Sequence, residues 1–454
     1  DKISNFIMKV TLLTLGFVVL ANILIEGREA DVTSLLIFAI ALAVSAIPEA
    51  LPLVLTFSLS RGALEFAKRD VIVKRLSAVQ DLGSVNLLCT DKTGTITENH
   101  LVFSNVYPMA ESPYDPLVLA RLAAINLHER IPEPFDRASD KALTQAQRQI
   151  VERYSLAQEE AFDPALRSNG AIVKQADGKT LHVRRGSPEY FFGEGLIPRD
   201  AAAEWLQSEE EKGHRVLGVS YDDGTGAHFG GFVSFVDRIK DSTIATVAAA
   251  KQMNVAITVI TGDALKVAEA VGREAGLVTE SAEVTEAAAF LTLPLAERKK
   301  RLSSIRVFAR TTPEQKLELI QLLKEQFTVG YLGEGINDAP ALKAAHVSMV
   351  VQSAADVARE TADIVLLQND LRVIVEGIRF GRETHANTMK YIRATLISNF
   401  GNFYAVAIGS LFISFLPMLP KQLLLLNLLS DFPMMATAFD RVSAQEVEPP
   451  QRYD

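Results

Sequence analysis

The sequence predicts a multidomain chain in which α/β domains are joined to membrane α-helices. Long apolar runs are gathered into two widely separated pairs, and the stretch between them alternates short β-like runs with amphipathic helical patterns. A mean hydropathy of +0.16 coexists with 22% charged residues, which requires that apolar and charged residues be segregated along the chain. At 454 residues the chain has length for about three domains of roughly 150 residues each. A hydrophobic fraction of 48% excludes disorder, and a net charge of −9 argues against nucleic acid as a partner. The single cysteine, Cys89, excludes an internal disulfide framework.

The first apolar run, Ile3–Ile25, carries one charge, Lys9, and is long enough to cross a hydrocarbon core of about 30 Å. No small-residue cleavage site follows it, so it reads as a transmembrane helix rather than a signal peptide. The second, Leu35–Leu59, is interrupted by Pro48 and Pro52. The other pair is Ala394–Pro417 and Gln422–Phe439, giving four candidate transmembrane helices. Arg61, Lys68, Arg69, Lys74 and Arg75 follow the second run, and Arg379, Arg382, Lys390 and Arg393 precede the third, whereas the hairpin loops hold only Arg28 and Lys421. The positive-inside rule therefore places the central region in the cytoplasm.

Within that region, Val85–Cys89, Ala256–Ile260 and Thr328–Leu332 read as buried parallel strands, alternating with helices such as Ser242–Met253 and Pro313–Gln326. The stretch between the first two strands is far longer than a crossover needs and reads as an inserted domain. Its own core lies around Ala171–Val173, Leu181–Val183 and Val216–Val219.

Chemistry concentrates at the predicted strand ends, where open parallel sheets hold ligands. Asp91-Lys92-Thr93-Gly94-Thr95-Ile96-Thr97 follows the first strand. Asp91 suits a nucleophile toward a phosphoryl group, and Gly94 lets backbone amides approach phosphate oxygens. Thr261-Gly262-Asp263 ends the second strand, with Thr261 placed to hold a phosphoryl oxygen. Lys316, in the first turn of a helix, neutralises charge on aspartate and phosphate. Gly333-Glu334-Gly335-Ile336-Asn337-Asp338 ends the third strand in an acidic turn suited to Mg²⁺. Nucleophile, hydroxyl, lysine and acidic turn in this order point to phosphoryl transfer. Thr93 stands where a phosphatase of this scheme would want a second carboxylate, so an aspartyl phosphate should persist.

On these motifs the chain resembles the P-type ion-transporting ATPases, whose phosphorylation domain is haloacid-dehalogenase-like and Rossmannoid. The resemblance implies ATP and Mg²⁺ as cofactors, with Asp91, Lys92, Thr93, Thr261, Gly262, Asp263, Lys316, Asn337 and Asp338 catalytic. It implies that Asp91, Thr93 and Glu334 hold the catalytic Mg²⁺, with Glu334 standing where the family has Asp. The inserted α+β domain becomes the nucleotide-binding domain, with Phe162 as the adenine-stacking aromatic, Arg167 beside it, Arg185 and Gly186 in a segment like the family's Lys-Gly-Ala-Pro-Glu, Arg215 reaching the phosphates, and Asp140 as a further contact. Asp237-Arg238-Ile239-Lys240 replaces the usual Asp-Pro-Pro-Arg hinge.

The expected divisions are two transmembrane helices (1–60), a stalk with the first part of the phosphorylation domain (61–104), the nucleotide-binding domain (105–235), and the second part of the phosphorylation domain (236–375). A further stalk (376–393), two more transmembrane helices (394–440) and a tail (441–454) complete the chain.

The ion path is expected from polar groups in the spans. Pro48 and Pro52 bracket Glu49, an ionisable group inside a span and so a functional candidate. Asn427 and Asp431 share one helix face, as do Asn399 and Asn402, and such oxygen ligands suit a hard divalent cation. Pro48-Glu49-Ala50-Leu51-Pro52 looks like the motif of calcium and magnesium pumps. Ser398–Asn402, Phe415–Pro420 and Pro450–Tyr453 look like the bacterial magnesium-importing branch, whose setting is the plasma membrane. Magnesium is therefore ranked first, calcium or another divalent cation second, protons third. The family's actuator domain and its remaining membrane helices are expected partners that this stretch does not contain, so the chain reads as the central part of a larger pump. A membrane-tethered phosphohydrolase and a non-catalytic partner are the competing readings.

Overall fold

The computed structural model describes residues 2–26, 32–45, 51–92, 94–126, 133–163, 166–197, 202–368, 370–413 and 417–447. Glu49 and Thr93 lie outside them, as do Pro48, Ala50, Phe415 and the Pro450–Tyr453 ending. The chain divides into two compact units, one of residues 1–85, 363–365 and 376–454, the other of residues 86–362 and 366–375.

The first unit is helical. Its main helices are α1 (Lys2–Glu26), α2 (Val32–Ser45), α3 (Leu51–Ala67), α4 (Ser77–Gly83), most of α5 (Leu371–Gly409) and α6 (Pro420–Met435). Leu15 and Val18 of α1, Phe38 and Leu42 of α2, Phe403 and Val406 of α5 and Leu423 of α6 form one buried cluster. The opposite faces are also apolar: Leu13, Phe17, Ile40, Ile397, Leu429 and Phe432 are exposed. A helix apolar all round needs an apolar environment on every side. Among the described residues, however, no helix is long and apolar enough to cross a membrane. The run expected to span at Leu35–Leu59 is divided between α2 and α3, and the one expected at Ala394–Pro417 is the end of the 39-residue α5, which stops at Gly409.

α4 and α5 meet backbone to backbone. A Cβ on Gly83 would lie 2.4 Å from the Gly381 carbonyl carbon, so no side chain fits at this crossing. Beside it the fully buried Arg382 donates to the carbonyl oxygens of Gly83 (3.2 Å), Val85 (3.3 Å) and Val447 (2.9 Å). The guanidinium thus satisfies carbonyls at and just past the end of α4, which have no helical partners, and one from the last segment of the chain described.

The second unit holds two sheets. Its strands are β1 (Leu87–Thr90), β2 (Thr97–Pro108), β3 (Tyr154–Asp163), β4 (Ser168–Gln175), β5 (Thr180–Gly186), β6 (Arg215–Asp222), β7 (Ala227–Ile239), β8 (Ala256–Ile260), β9 (Val284–Glu286), β10 (Val307–Ala309), β11 (Val329–Gly333) and β12 (Val347–Val351). In the parallel sheet the order within this unit is β12-β11-β1-β8-β10-β9. β1, β11 and β12 are buried at every position, as the continuous apolar runs required. The other sheet is antiparallel, in the order β2-β7-β6-β5-β4-β3, and packs Val173, Val183, Val219 and Phe235 against Leu117–Leu122.

A buried carboxylate ties the helix Ala203–Glu211 to the antiparallel sheet. Glu209 accepts from Ser234 (2.7 Å) and His214 (2.8 Å) and pairs with Lys212 (2.7 Å). Burial acts to raise its pKa, but Lys212, His214 and Ser234 outweigh it and hold the carboxyl at about 2, below its ordinary 4.5. A depressed carboxylate contributes stability above its unfolded pKa and loses it as pH falls toward the folded value. Glu209→Gln should therefore cost about 1–3 kcal/mol at pH 7, and its deficit against the parent should shrink as pH drops from 4.5 toward 2. Urea unfolding at stepped pH reads this, and a deficit independent of pH would contradict it.

Candidate active site

The register of the parallel sheet assembles the site. Thr90 pairs with Leu332 of β11 on one side and Val259 of β8 on the other. The chain therefore leaves three adjacent strands at one edge, delivering Asp91, Thr261-Gly262-Asp263 and Glu334-Gly335 together. Lys316 arrives from the helix Pro313–Lys324, which starts at Thr312 with a capping box: Thr312 Oγ1 accepts from the Gln315 N–H and Gln315 Oε1 from that of Thr312.

Lys316 Nζ sits 2.6 Å from Asp91 Oδ2 and 2.9 Å from Asp338 Oδ1. Asp91 Oδ1 accepts from the Lys92 N–H at 2.6 Å. Asp338 also accepts from the Tyr331 hydroxyl (2.9 Å) and from the backbone N–H groups of Glu334 (3.2 Å) and Gly335 (3.1 Å). Burial pushes the Asp91 carboxyl up, with Lys316 opposing. Burial also acts to raise Asp338, but Lys316 and the Gly335 N–H outweigh it and the net shift is downward. The same two carboxylates hold Lys316 above its ordinary value against its own desolvation.

Behind Asp91, Lys92 is buried and pairs with Asp263 Oδ2 at 2.5 Å, with Asp237 at 3.9 Å. Its ammonium is committed to that acidic pair, while its backbone N–H serves Asp91. Arg215 reaches Asp263 Oδ1 at 3.4 Å and lies over the Phe135 ring. Burial acts to raise Asp263, but Arg215 and Lys92 reverse the shift. Thr261 is buried and its hydroxyl accepts from the Asp263 N–H (3.2 Å), whereas Gly262 and Asn337 are exposed.

Gly94 has φ +76° and a Cβ there would lie 2.8 Å from both carboxylate oxygens of Glu334. Thr95 donates to the same carboxylate at 3.5 Å, and Lys240 Nζ donates to the Gly94 carbonyl at 2.5 Å. The extra methylene of Glu334 thus carries its carboxylate over the Asp91 loop. Two carboxylates, Asp91 and Glu334, fit Mg²⁺, which takes one or two from a protein and fills the remaining positions with water and substrate oxygens. No group of three or more His, Cys, Asp or Glu side chains suited to a metal ion occurs among the described residues.

The residues expected around the nucleotide are less closely assembled. Phe162 on β3 is 53% exposed, available for stacking, and Arg167 is exposed with φ +51°. A Cβ on Gly186 would meet the Arg167 carbonyl at 2.8 Å, so these two segments are in contact. Arg185 is turned inward, pairing with Asp136 at 2.6 Å and donating to Asn169 at 3.0 Å. Asp140 is held by Arg121 at 3.0 Å and by Arg148. In the helical unit, Asn399, Asn427 and Asp431 are buried and Asn402 is half-buried.

The sequence motifs did not single out Tyr331, Thr97 or the role of Lys240. Thr97 donates to Asp237 at 2.6 Å. The Asp237–Lys240 segment was visible as an odd hinge, and that oddity was the available signal: its two charged ends grip Lys92 and the Gly94 carbonyl. Tyr331 left no signal, because an aromatic in a buried strand reads as core.

Residues 85–346 match the family profile of haloacid dehalogenase-like hydrolases. The chain is 33% identical to the "Magnesium-transporting ATPase, P-type 1" of Salmonella typhimurium and to that of Escherichia coli, in each case over 100% of this chain and 53% of the relative. It therefore spans about half the length of the curated relatives it matches. Among solved structures, a zinc-transporting PIB-type ATPase in an E2.Pi state matches 96% of this chain and 63% of its own, with TM-score 0.66 and 22% identity, a likeness of fold. This chain belongs to the haloacid dehalogenase-like hydrolase family, and along its whole length it is similar to P-type ATPases.

Proposed function

We propose that the chain is the catalytic and ion-binding core of a P-type ATPase. In this reading it couples ATP hydrolysis, through an aspartyl phosphate on Asp91, to transport of a divalent cation, Mg²⁺ first, across a bacterial plasma membrane. The observation that carries this is Asp91 Oδ2 held 2.6 Å from a buried Lys316 at the end of the central parallel strand. An Asp91 oxygen attacks the γ-phosphorus of ATP, and the bond from that phosphorus to the β–γ bridging oxygen breaks. ADP leaves with the electron pair. Lys316 and the Lys92 N–H orient the attacking carboxylate, while Thr261 and the exposed amides around Gly262 receive the oxygens of the transferred group. Asp91, Glu334 and Thr93 would hold Mg²⁺, which when bound offsets negative charge on the phosphates.

The antiparallel-sheet domain presents the nucleotide, with Phe162 stacking on adenine and Arg167 and Gly186 beside it. Arg215 extends from that domain to Asp263 and serves as the link to the phosphates; Arg185 and Asp140 act through their ion pairs to fix this surface. Glu49, Asn399, Asn402, Asn427 and Asp431 carry the cation, and the helical unit lies in the bilayer with the two-sheet unit in the cytoplasm. The apolar outward faces of α1, α2, α5 and α6 support this placement.

Incubation with γ-labelled ATP should give acid-stable, hydroxylamine-labile label on the chain, and Asp91→Asn should abolish it. Label that survives Asp91→Asn would refute this reading.

A further inference from the structure

Within the helical unit, a cavity of about 300 Å³ lies between α3 and α5 and is closed on one side by the end of the chain segment after α6. Ser58, Arg61 and Glu65 line it from α3, Glu383 and Asn387 from α5, and Asp440 from the last segment. Three carboxylates face one guanidinium, and Arg61 is itself held over the Phe439 ring. Each carboxylate has an ion-pair partner: Glu65 with Lys68 (2.7 Å), Glu383 with Arg379 (3.1 Å) and Asp440 with Lys390 (2.9 Å). Lys68 and Arg379 are 70% and 66% exposed, so these pairs are weak and easily exchanged for a better cation.

A second observation points inward from this mouth. Ser58 lines the cavity, is 4% exposed, and its hydroxyl has no hydrogen-bond partner among the described residues. Beyond it, Tyr391 (0% exposed) and Thr395 (1%) are buried on α5 with their hydroxyl groups close to one another. Buried hydroxyls without protein partners in a polar, roomy site are where ordered water sits. Asn387, Tyr391, Thr395 and Asn399 follow one another at four-residue spacing. At 100° per residue such a row drifts only about 40° per step and climbs about 18 Å from first to last.

We propose that this cavity is a water-filled vestibule that takes a divalent cation with its hydration shell, and that Ser58, Tyr391 and Thr395 carry its water inward toward Asn399. Size and chemistry agree. Six waters at about 30 Å³ each need about 180 Å³, which leaves room inside the cavity. The proposal rests on the transport reading above.

The test uses thiol accessibility in the full chain. The native thiol, Cys89, is fully buried, so background is low. Ser58→Cys and Thr395→Cys should react with a small neutral water-soluble thiol reagent at least about tenfold faster than Leu42→Cys, which sits in the apolar cluster. Mn²⁺ or Mg²⁺ should slow modification of Ser58→Cys, whereas Na⁺ at matched ionic strength should not. Adding Glu65→Gln, Glu383→Gln and Asp440→Asn should remove the protection, with thermal unfolding confirming that each variant folds. Equal rates at Ser58→Cys and Leu42→Cys would overturn the vestibule. Protection by Na⁺, or protection that survives loss of the carboxylates, would overturn the cation site. Acyl-phosphate formation by the unsubstituted chain, read in parallel, separates the two claims: its absence with Mn²⁺ protection intact counts against the ATPase reading and leaves the vestibule standing.

Discussion

Lys316→Met is expected to lower the rate of Asp91 phosphorylation by about 10³ or more, because it removes a cation that contacts both Asp91 and Asp338. It should also destabilise the unit by about 3 kcal/mol, since two carboxylates in a poorly hydrated site lose their shared partner. The two effects separate by pH. Asp91 is already pushed up by burial, so without Lys316 it takes up a proton more readily, and the stability deficit should shrink toward acid pH as both carboxylates neutralise. The double variant Lys316→Met with Asp91→Asn should lose less stability than the sum of the single changes, because each removes part of the same pair. Urea unfolding at pH 7 and pH 4 reads stability, and quenched-flow labelling with ATP reads rate. A phosphorylation rate within about tenfold of the parent would contradict the role given to Lys316.

Gly94→Ala is expected to be nearly as damaging by a different route. The left-handed backbone at φ +76° costs a non-glycine residue about 1–2 kcal/mol. The new methyl group would also stand 2.8 Å from both oxygens of Glu334 and force that carboxylate away from the Asp91 loop. If Glu334 helps hold Mg²⁺, the Mg²⁺ concentration needed for phosphorylation should rise by roughly tenfold to a hundredfold. Glu334→Asp in the Gly94→Ala background withdraws the carboxylate by one methylene and should recover part of the loss, leaving only the backbone cost. Gly94→Ala with an unchanged Mg²⁺ requirement would show that Glu334 does not act on the metal.

Much of the α/β architecture was legible in the residues. Ala256–Ile260 and Thr328–Leu332 show as strands because a parallel strand buried on both faces is written as an unbroken apolar run, and the structure forms Ala256–Ile260 and Val329–Gly333. Asp91, Thr261, Lys316 and Asp338 were legible because each lies just past an element boundary, where sequence spacing and strand ends coincide. The grip of Lys92 on Asp263 and Asp237 was not legible. Their contact crosses most of the second unit, and a lysine beside an aspartate in sequence gives no sign that its ammonium faces away from that aspartate. Arg185 shows the same limit: its motif pointed to a ligand, and its guanidinium turns toward Asp136 instead.

The apolar runs were equally plain, and so was the interruption of Leu35–Leu59 by Pro48 and Pro52, on either side of which α2 and α3 lie. The sequence by itself determined the order of strands and loops along the chain and the identity of the groups at each strand end, since these depend on local periodicity and turn chemistry. Tertiary structure alone decided which charges meet: Lys316 between Asp91 and Asp338, Glu334 over Gly94, and the carboxylates around Ser58. Those pairings depend on sheet register and helix crossing, which bring together residues as far apart in sequence as Asp91 and Lys316, and no local pattern encodes that distance.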